Sequence, residues 1–303
     1  DGTLLMDPGK YIEKMMDAYT QLFGSRPKCK QTPLAENDHP ELDESPILEE
    51  DSILRYQSMI GSLQWLMSIG RWDIQTAVMS MSSFRAAPRE GHLDRLKRMH
   101  GCIRKFPHFK IRFRTEAPDL TAYDNTGSFD WSTTVYGNLP EELPADAPEP
   151  LGSPVVLTHC FDANLLHNLV DGRSVTGCLH FINETPIMWY SKKQNTTETA
   201  TYGAEFSASR TCLEHVVDLR HTLRYLGVNV GPVSYAFGDN AAMITSSNFP
   251  FSKLNKRHNI LSFHFVRGLI ARRFIALNHV STKSNVADLL SKHWSHPTCL
   301  LYT

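Results

Sequence analysis

Apolar residues recur at helical spacing in the first part of the chain and at strand spacing in the second. Between Leu54 and Phe106, Met59, Leu63, Leu66 and Met67 form one stripe, and Leu93, Leu96 and Met99 form another. Both stripes have the i, i+3, i+4 period of a helix with one buried face. With Pro88 in the turn between them, the pattern predicts a helical hairpin. Beyond Pro154 the period changes. Val155–Phe161 is a short apolar run closed by Asp162, which predicts a buried strand. Val175–Ile182 and Ile187–Tyr190 predict two more, joined by a turn at Asn183-Glu184-Thr185, with Pro186 at a strand start where a missing donor is tolerated. Thr199–Leu226 predicts one long helix, striped by Phe206, Leu213, Val216, Leu219 and Leu223 and closed by Gly227. Val233–Phe237 and Phe274–Val280 predict two further strands. Helices are expected near Asn240, over His258–Arg273 and over Asn285–His293. The order β-β-β-α-β-α-α-β-α implies an α/β fold, a mixed five-stranded sheet with helices on both faces.

Prolines divide the chain. Pro118, Pro140, Pro144, Pro148, Pro150 and Pro154 alternate with Glu141, Glu142, Asp146 and Glu149, a composition that predicts an acidic linker over 113–154. The expected organisation is therefore a mainly helical segment over 1–112, the linker, and an α/β domain over 155–303. A second proline-bounded stretch, Pro27 to Pro46, sets off a short N-terminal piece.

Composition adds little. With 41% hydrophobic and 21% charged residues the chain reads as globular. No run approaches the roughly 18 apolar residues of a membrane span, so no membrane partner is expected. The opening Asp1-Gly2-Thr3-Leu4-Leu5-Met6-Asp7 lacks a starting Met and the pattern of a signal peptide, so the chain is expected to be cut from a longer one. The net charge of −1 conceals an excess of five positive charges from Val155 onward and of six negative charges before it. Cys29, Cys102, Cys160, Cys178, Cys212 and Cys299 include no C-x-x-C pair, which argues against a structural zinc site and a disulfide framework, and for a reducing setting.

Four carboxylates stand where strands end or helices begin: Asp162, Glu205, Asp239 and Asp288. At one edge of a mixed sheet such positions converge on a crevice. Converging acids repel unless a divalent cation neutralises them, and hard oxygen donors select Mg²⁺ or Mn²⁺. Two such ions roughly 3.5–4 Å apart can clamp a phosphodiester, one generating hydroxide and the other stabilising the leaving oxygen. Spacing alone leaves plainer readings open. Asn285 and Asp288 are spaced as a capping box, Asp239 as the cap of a short helix, Glu205 as a solvated helix residue and Asp162 as the start of an Asx turn.

Motifs add what spacing lacks. Asp171-Gly172-Arg173-Ser174-Val175-Thr176-Gly177, Trp189-Tyr190-Ser191-Lys192-Lys193-Gln194, Glu198-Thr199-Ala200-Thr201-Tyr202-Gly203-Ala204-Glu205-Phe206, Gly238-Asp239-Asn240, Lys256-Arg257-His258-Asn259-Ile260 and Val286-Ala287-Asp288-Leu289-Leu290-Ser291-Lys292 occur in this order. Together they resemble the RNase H domain of copia-type retrotransposon Pol polyproteins. Tyr56-Gln57-Ser58-Met59-Ile60-Gly61-Ser62-Leu63, Trp72-Asp73-Ile74 and His92-Leu93-Asp94-Arg95-Leu96-Lys97-Arg98 resemble the thumb and connection of the same family's reverse transcriptase. The resemblance implies an RNase H-like fold preceded by a helical reverse-transcriptase segment. It implies Asp162, Glu205, Asp239 and Asp288 as catalytic residues holding two Mg²⁺ or Mn²⁺ ions, and an RNA–DNA hybrid as substrate. The rest of the reverse-transcriptase polyprotein is the implied partner. The implied setting is intracellular, in a cytoplasmic virus-like particle or the nucleus. No Asp-Asp pair occurs, so the polymerase palm has no counterpart here.

The chain also departs from the family. In Phe161-Asp162-Ala163-Asn164 the second acid of the family motif is an amide, and Lys283 stands where cellular RNases H carry a His, with His279 lying earlier. These departures support a rival reading, a catalytically decayed module that only binds nucleic acid. An RNase H-like exonuclease or integrase is a weaker rival. Lys192, Lys193, Gln194, Asn240, Lys256, Arg257 and His258 are the candidate nucleic-acid contacts, with His264 a further candidate. Such contacts would read backbone shape rather than sequence.

Overall fold

The computed structural model describes residues 4–137, 141–254 and 257–293. They form two compact units: one comprises 4–113, 167–172 and 289–293, the other 114–137, 141–166, 173–254 and 257–288. Among the described residues no helix is long and apolar enough to cross a membrane.

The first unit is helical. Strand β1 (Leu5–Met6) precedes α1 (Gly9–Phe23), and α2 (Glu50–Ser68), α3 (Gln75–Ser82) and α4 (Glu90–Lys105) follow, with β2 (Ile111–Arg112) pairing antiparallel to β1. The expected hairpin is thus three helices, because the chain breaks twice. Gly70, at φ 114°, stops α2, and Pro88 precedes α4. The helices bury Ile12, Tyr56, Ile60, Leu63, Val78, Met81, Leu96 and Met99 in one core. The buried Arg71 donates to both oxygens of Asp73 at 2.8 Å and to the Phe106 carbonyl at 3.0 Å, which ties α2's exit to the end of α4.

The second unit carries the sheet. Strands β3 (Leu151–Val155), β4 (Leu157–Asn164), β5 (Val175–Ile182) and β6 (Thr185–Lys193) precede the long helix α5 (Thr201–Tyr225). Strands β7 (Val228–Val230) and β8 (Ser234–Gly238), helices α6 (Ala241–Asn248) and α7 (Ile260–Ala271), and β9 (Ile275–His279) complete it. The five-stranded order is β6-β5-β4-β8-β9, antiparallel across β6-β5-β4 and parallel across β4-β8-β9. β3 and β7 form a separate parallel pair.

Central β4 is covered on both faces. Phe161 and Ala163 join Phe206, Leu213, Val216, Phe263, Val266 and Ile275 in the core under α5, α6 and α7. Cys160, one residue before Phe161, packs with Phe237 and Ala287 on the other face. There the cover is a 3-10 turn, Val286–Leu290, in place of the helix expected over Asn285–His293. Its entry is set by Asn285, whose buried side-chain amide donates to the Phe161 carbonyl at 3.0 Å. That bond holds the turn on the sheet. The proline-rich stretch belongs to this unit, with Trp131 buried in its core and Tyr136 packed beside it.

Candidate active site

Each acid reaches the site through a different element. Asp162 lies near the end of β4, opposite Gly177 of β5. Glu205 sits in the second turn of α5, and Asp239 directly follows β8. One carboxylate oxygen from each of Asp162, Glu205 and Asp239 lies within 4.8 Å of the other two. Asp162 is 1% exposed and Glu205 4%, whereas Asp239 is half-buried. The Ala163 amide donates to Glu205 Oε1 at 3.3 Å, so the β4 backbone orients the helix carboxylate.

Asp288 is placed differently. It is 1% exposed and lies in the 3-10 turn, where its amide donates to the Asn285 carbonyl at 3.2 Å. Through Asn285 it is held to Phe161, the neighbour of Asp162. It is not a member of the close group of three.

The approach of β8 to β4 needs a glycine. A Cβ on Gly238 would meet the Phe161 ring at 2.5 Å, well inside contact distance. Gly238→Ala is therefore expected to push the end of β8 and Asp239 away from Asp162, and to cost about 1–3 kcal/mol by overpacking. Thermal unfolding of the variant checks this, and an unchanged transition would contradict it. Beyond Gly238, His279 Nε2 donates to the Asp239 carbonyl at 3.1 Å. Asn240 caps α6, its side chain accepting from the Met243 amide at 3.0 Å.

The other candidate contacts divide. Lys192, Lys193, Gln194 and His258 line one polar cleft of about 720 Å³ together with Arg210, Glu214 and Asn259. Within it Gln194 is mostly a clasp, since it is buried and donates to Thr176 Oγ1 and to the Ala204 carbonyl, both at 3.0 Å. Arg257 is exposed in a 3-10 turn. Tyr136 Oη lies 2.6 Å from His264 Nδ1. Lys256 lies outside the described residues. Sequence reasoning passed over Glu198, which is buried and meets His258 Nε2 at 2.9 Å. Gly203 makes room for it, because a Cβ there would stand 2.2 Å from Glu198 Oε2. The glycine two residues before Glu205 was the available signal.

Three carboxylates in such proximity form a hard oxygen donor set, and the donor chemistry fits Mg²⁺ or Mn²⁺.

No family model matches the chain. It is 25% identical over 284 residues to the retrovirus-related Pol polyprotein from transposon RE1 of Arabidopsis thaliana, covering 93% of this chain and 16% of that protein. It is 23% identical over 295 residues to the corresponding polyprotein from transposon TNT 1-94 of Nicotiana tabacum, covering 95% of this chain and 19% of that one. The chain thus spans less than a fifth of the length of these relatives. Among solved structures, the N-terminal RNase H domain of a Mycobacterium tuberculosis protein aligns with a TM-score of 0.36 and 14% identity, over 45% of this chain and 91% of that one. The chain's curated homologues are retrovirus-related Pol polyproteins of plant copia-type transposons, matched over 91–95% of its length.

Proposed function

We propose that the second unit is an RNase H-type nuclease that cuts the RNA strand of RNA–DNA hybrids endonucleolytically during reverse transcription. The observation that carries this reading is the meeting of Asp162, Glu205 and Asp239, from three separate elements, at the C-terminal ends of the neighbouring parallel strands β4 and β8. Two divalent ions, Mg²⁺ or Mn²⁺, would be held by these three with Asp288, and when bound would supply the Lewis acidity for phosphodiester hydrolysis. The protein's own share is placement. The Ala163 amide and the Gly238 approach fix two of the acids, and Asn285 fixes the turn that carries the fourth.

On this reading 1–112 is the thumb and connection segment of a reverse transcriptase, 113–154 the connecting stretch and 155–303 the RNase H domain. Lys192, Lys193 and His258 would meet the hybrid's phosphates in the polar cleft, with Arg257 nearby, and the rest of the polyprotein would be the partner. The setting would be intracellular. Asp288 favours a second reading, because it stands outside the close group of three. A decayed module would keep hybrid binding and lose turnover.

One gel assay decides. Labelled hybrid, duplex DNA and duplex RNA are incubated with the full chain, with and without Mg²⁺. Cleavage of the hybrid alone, dependent on Mg²⁺ and lost in Asp239→Asn, is the expected result. Hybrid binding without product in either Mg²⁺ or Mn²⁺ would favour the decayed module, and cleavage by Asp239→Asn would reject the assignment.

A further inference from the structure

The sheet unit holds a second group of metal-ligating side chains with softer chemistry. Cys178 and His180 alternate along β5, so both face the same side of the sheet, and Cys212 comes from α5, which packs on that side. One ligand atom of each lies within 4.8 Å of the other two, and all three residues are buried. Two further imidazoles flank the group. His159, directly opposite His180 across the strand pair, brings its Nδ1 to 2.9 Å from His180 Nδ1. His215, one helical turn after Cys212, brings its Nδ1 to 3.3 Å from His180 Nε2.

Packing alone does not account for this. Buried polar groups are costly unless bonded, and apolar residues would fill the same space without that cost. His159 is 0% exposed, and its Nε2 has no hydrogen-bond partner. If the proton between the two Nδ1 atoms belongs to His180, its Nε2 carries a lone pair directed at His215.

We propose that Cys178, His180 and Cys212 hold a zinc ion that pins α5 to β5, with His159 orienting His180 and His215 beside it. Thiolate and imidazole donors select zinc over Mg²⁺, so this site and the carboxylate group take different ions. Binding converts two thiols to thiolates and releases two protons to solvent, with no change of oxidation state. Half-buried His215 offers the ion a way in. The absence of C-x-x-C pairs argues against zinc only where both ligands are thiols. Here one pair is Cys-x-His on a strand, its two residues on one face, and the other thiol comes from the helix packed on that face.

The test uses the full chain, purified reduced and without chelator, with zinc counted per chain and Co²⁺ titrated into metal-free protein. One zinc per chain is expected, and Co²⁺ should give a thiolate charge-transfer absorption with tetrahedral d–d bands. Asp239→Asn should show the same spectrum. Cys178→Ala and Cys212→Ala should each weaken the charge-transfer band and lower zinc affinity. His159→Gln should keep the spectrum and weaken zinc binding by about 10–100-fold, as loss of an orienting partner does. No thiolate band in the wild-type chain would overturn the proposal, as would stoichiometric zinc that survives both cysteine changes. The wild-type spectrum is decisive even where a variant fails to fold.

Discussion

Asp162→Asn is expected to lower Mg²⁺-dependent cleavage of an RNA–DNA hybrid by more than about 10²-fold while raising the stability of the metal-free protein. Both effects have one cause. Asp162 is buried, and its carboxylate stands close to those of Glu205 and Asp239. Without ions, like charges so placed repel one another and disfavour the fold that gathers them. An amide of the same shape removes one charge and is expected to stabilise the metal-free unit by about 1 kcal/mol, or roughly 2–4 °C. The same change removes an anionic ligand, a loss larger than the 10–100-fold that follows from disturbing groups behind a ligand. In the wild type, Mg²⁺ at about 100 times its dissociation constant should add about 2.7 kcal/mol by mass action, and in Asp162→Asn far less. Melting curves with chelator and with Mg²⁺ give both numbers. Equal stabilisation of wild type and variant by Mg²⁺ would show that Asp162 does not hold the ion.

That site was only half legible in the chain. The strand positions were plain, since Val175–Ile182 is the observed β5 and Asp239 does follow a strand. What spacing could not show was that α5 delivers Glu205 to the β4 end, because a helix residue's direction depends on how the helix packs. The motif around Glu205 supplied that. The last helix failed for a local reason. Asn285 spends its side chain on the Phe161 carbonyl and on the Ala287 amide, and a 3-10 turn results. The stripe Ile12, Met15, Met16 and Tyr19 of α1 has plain helical spacing, which a reading keyed to proline boundaries passes over. β3 and β7 are short and poorly buried and carry no alternation to read. The proline-rich stretch misleads most. Its composition describes a linker, yet Trp131 and Tyr136 are spent on the core, and one buried cation explains why.

Arg267→Met is expected to destabilise the sheet unit by about 3–5 kcal/mol, although the side chains are similar in length. Arg267 lies in α7 and is 2% exposed. Its guanidinium donates to the carbonyls of Ser246, Phe249 and Pro250, which end α6 and begin the following loop, and to Tyr136 Oη at 3.1 Å. The rings of Trp131, Tyr136 and Phe263 surround it, with centroids 4.9, 5.4 and 4.7 Å away. A planar group with several fixed donors satisfies three carbonyls at once, and ring faces offset part of the cost of burying its charge. Met fills much of the space but leaves buried carbonyls without donors, at about 1–3 kcal/mol each before relaxation. Lys restores the charge and not the fork, so Arg267→Lys should recover only part of the loss. The exposed Arg210, paired with Glu214 one turn away at 2.8 Å, is the comparison: Arg210→Met should change stability by less than about 1 kcal/mol. Denaturant unfolding of the three variants ranks these effects. An Arg267→Met protein within about 1 kcal/mol of wild type would mean that the aromatic cage, and not the cation inside it, holds the proline-rich stretch to the core.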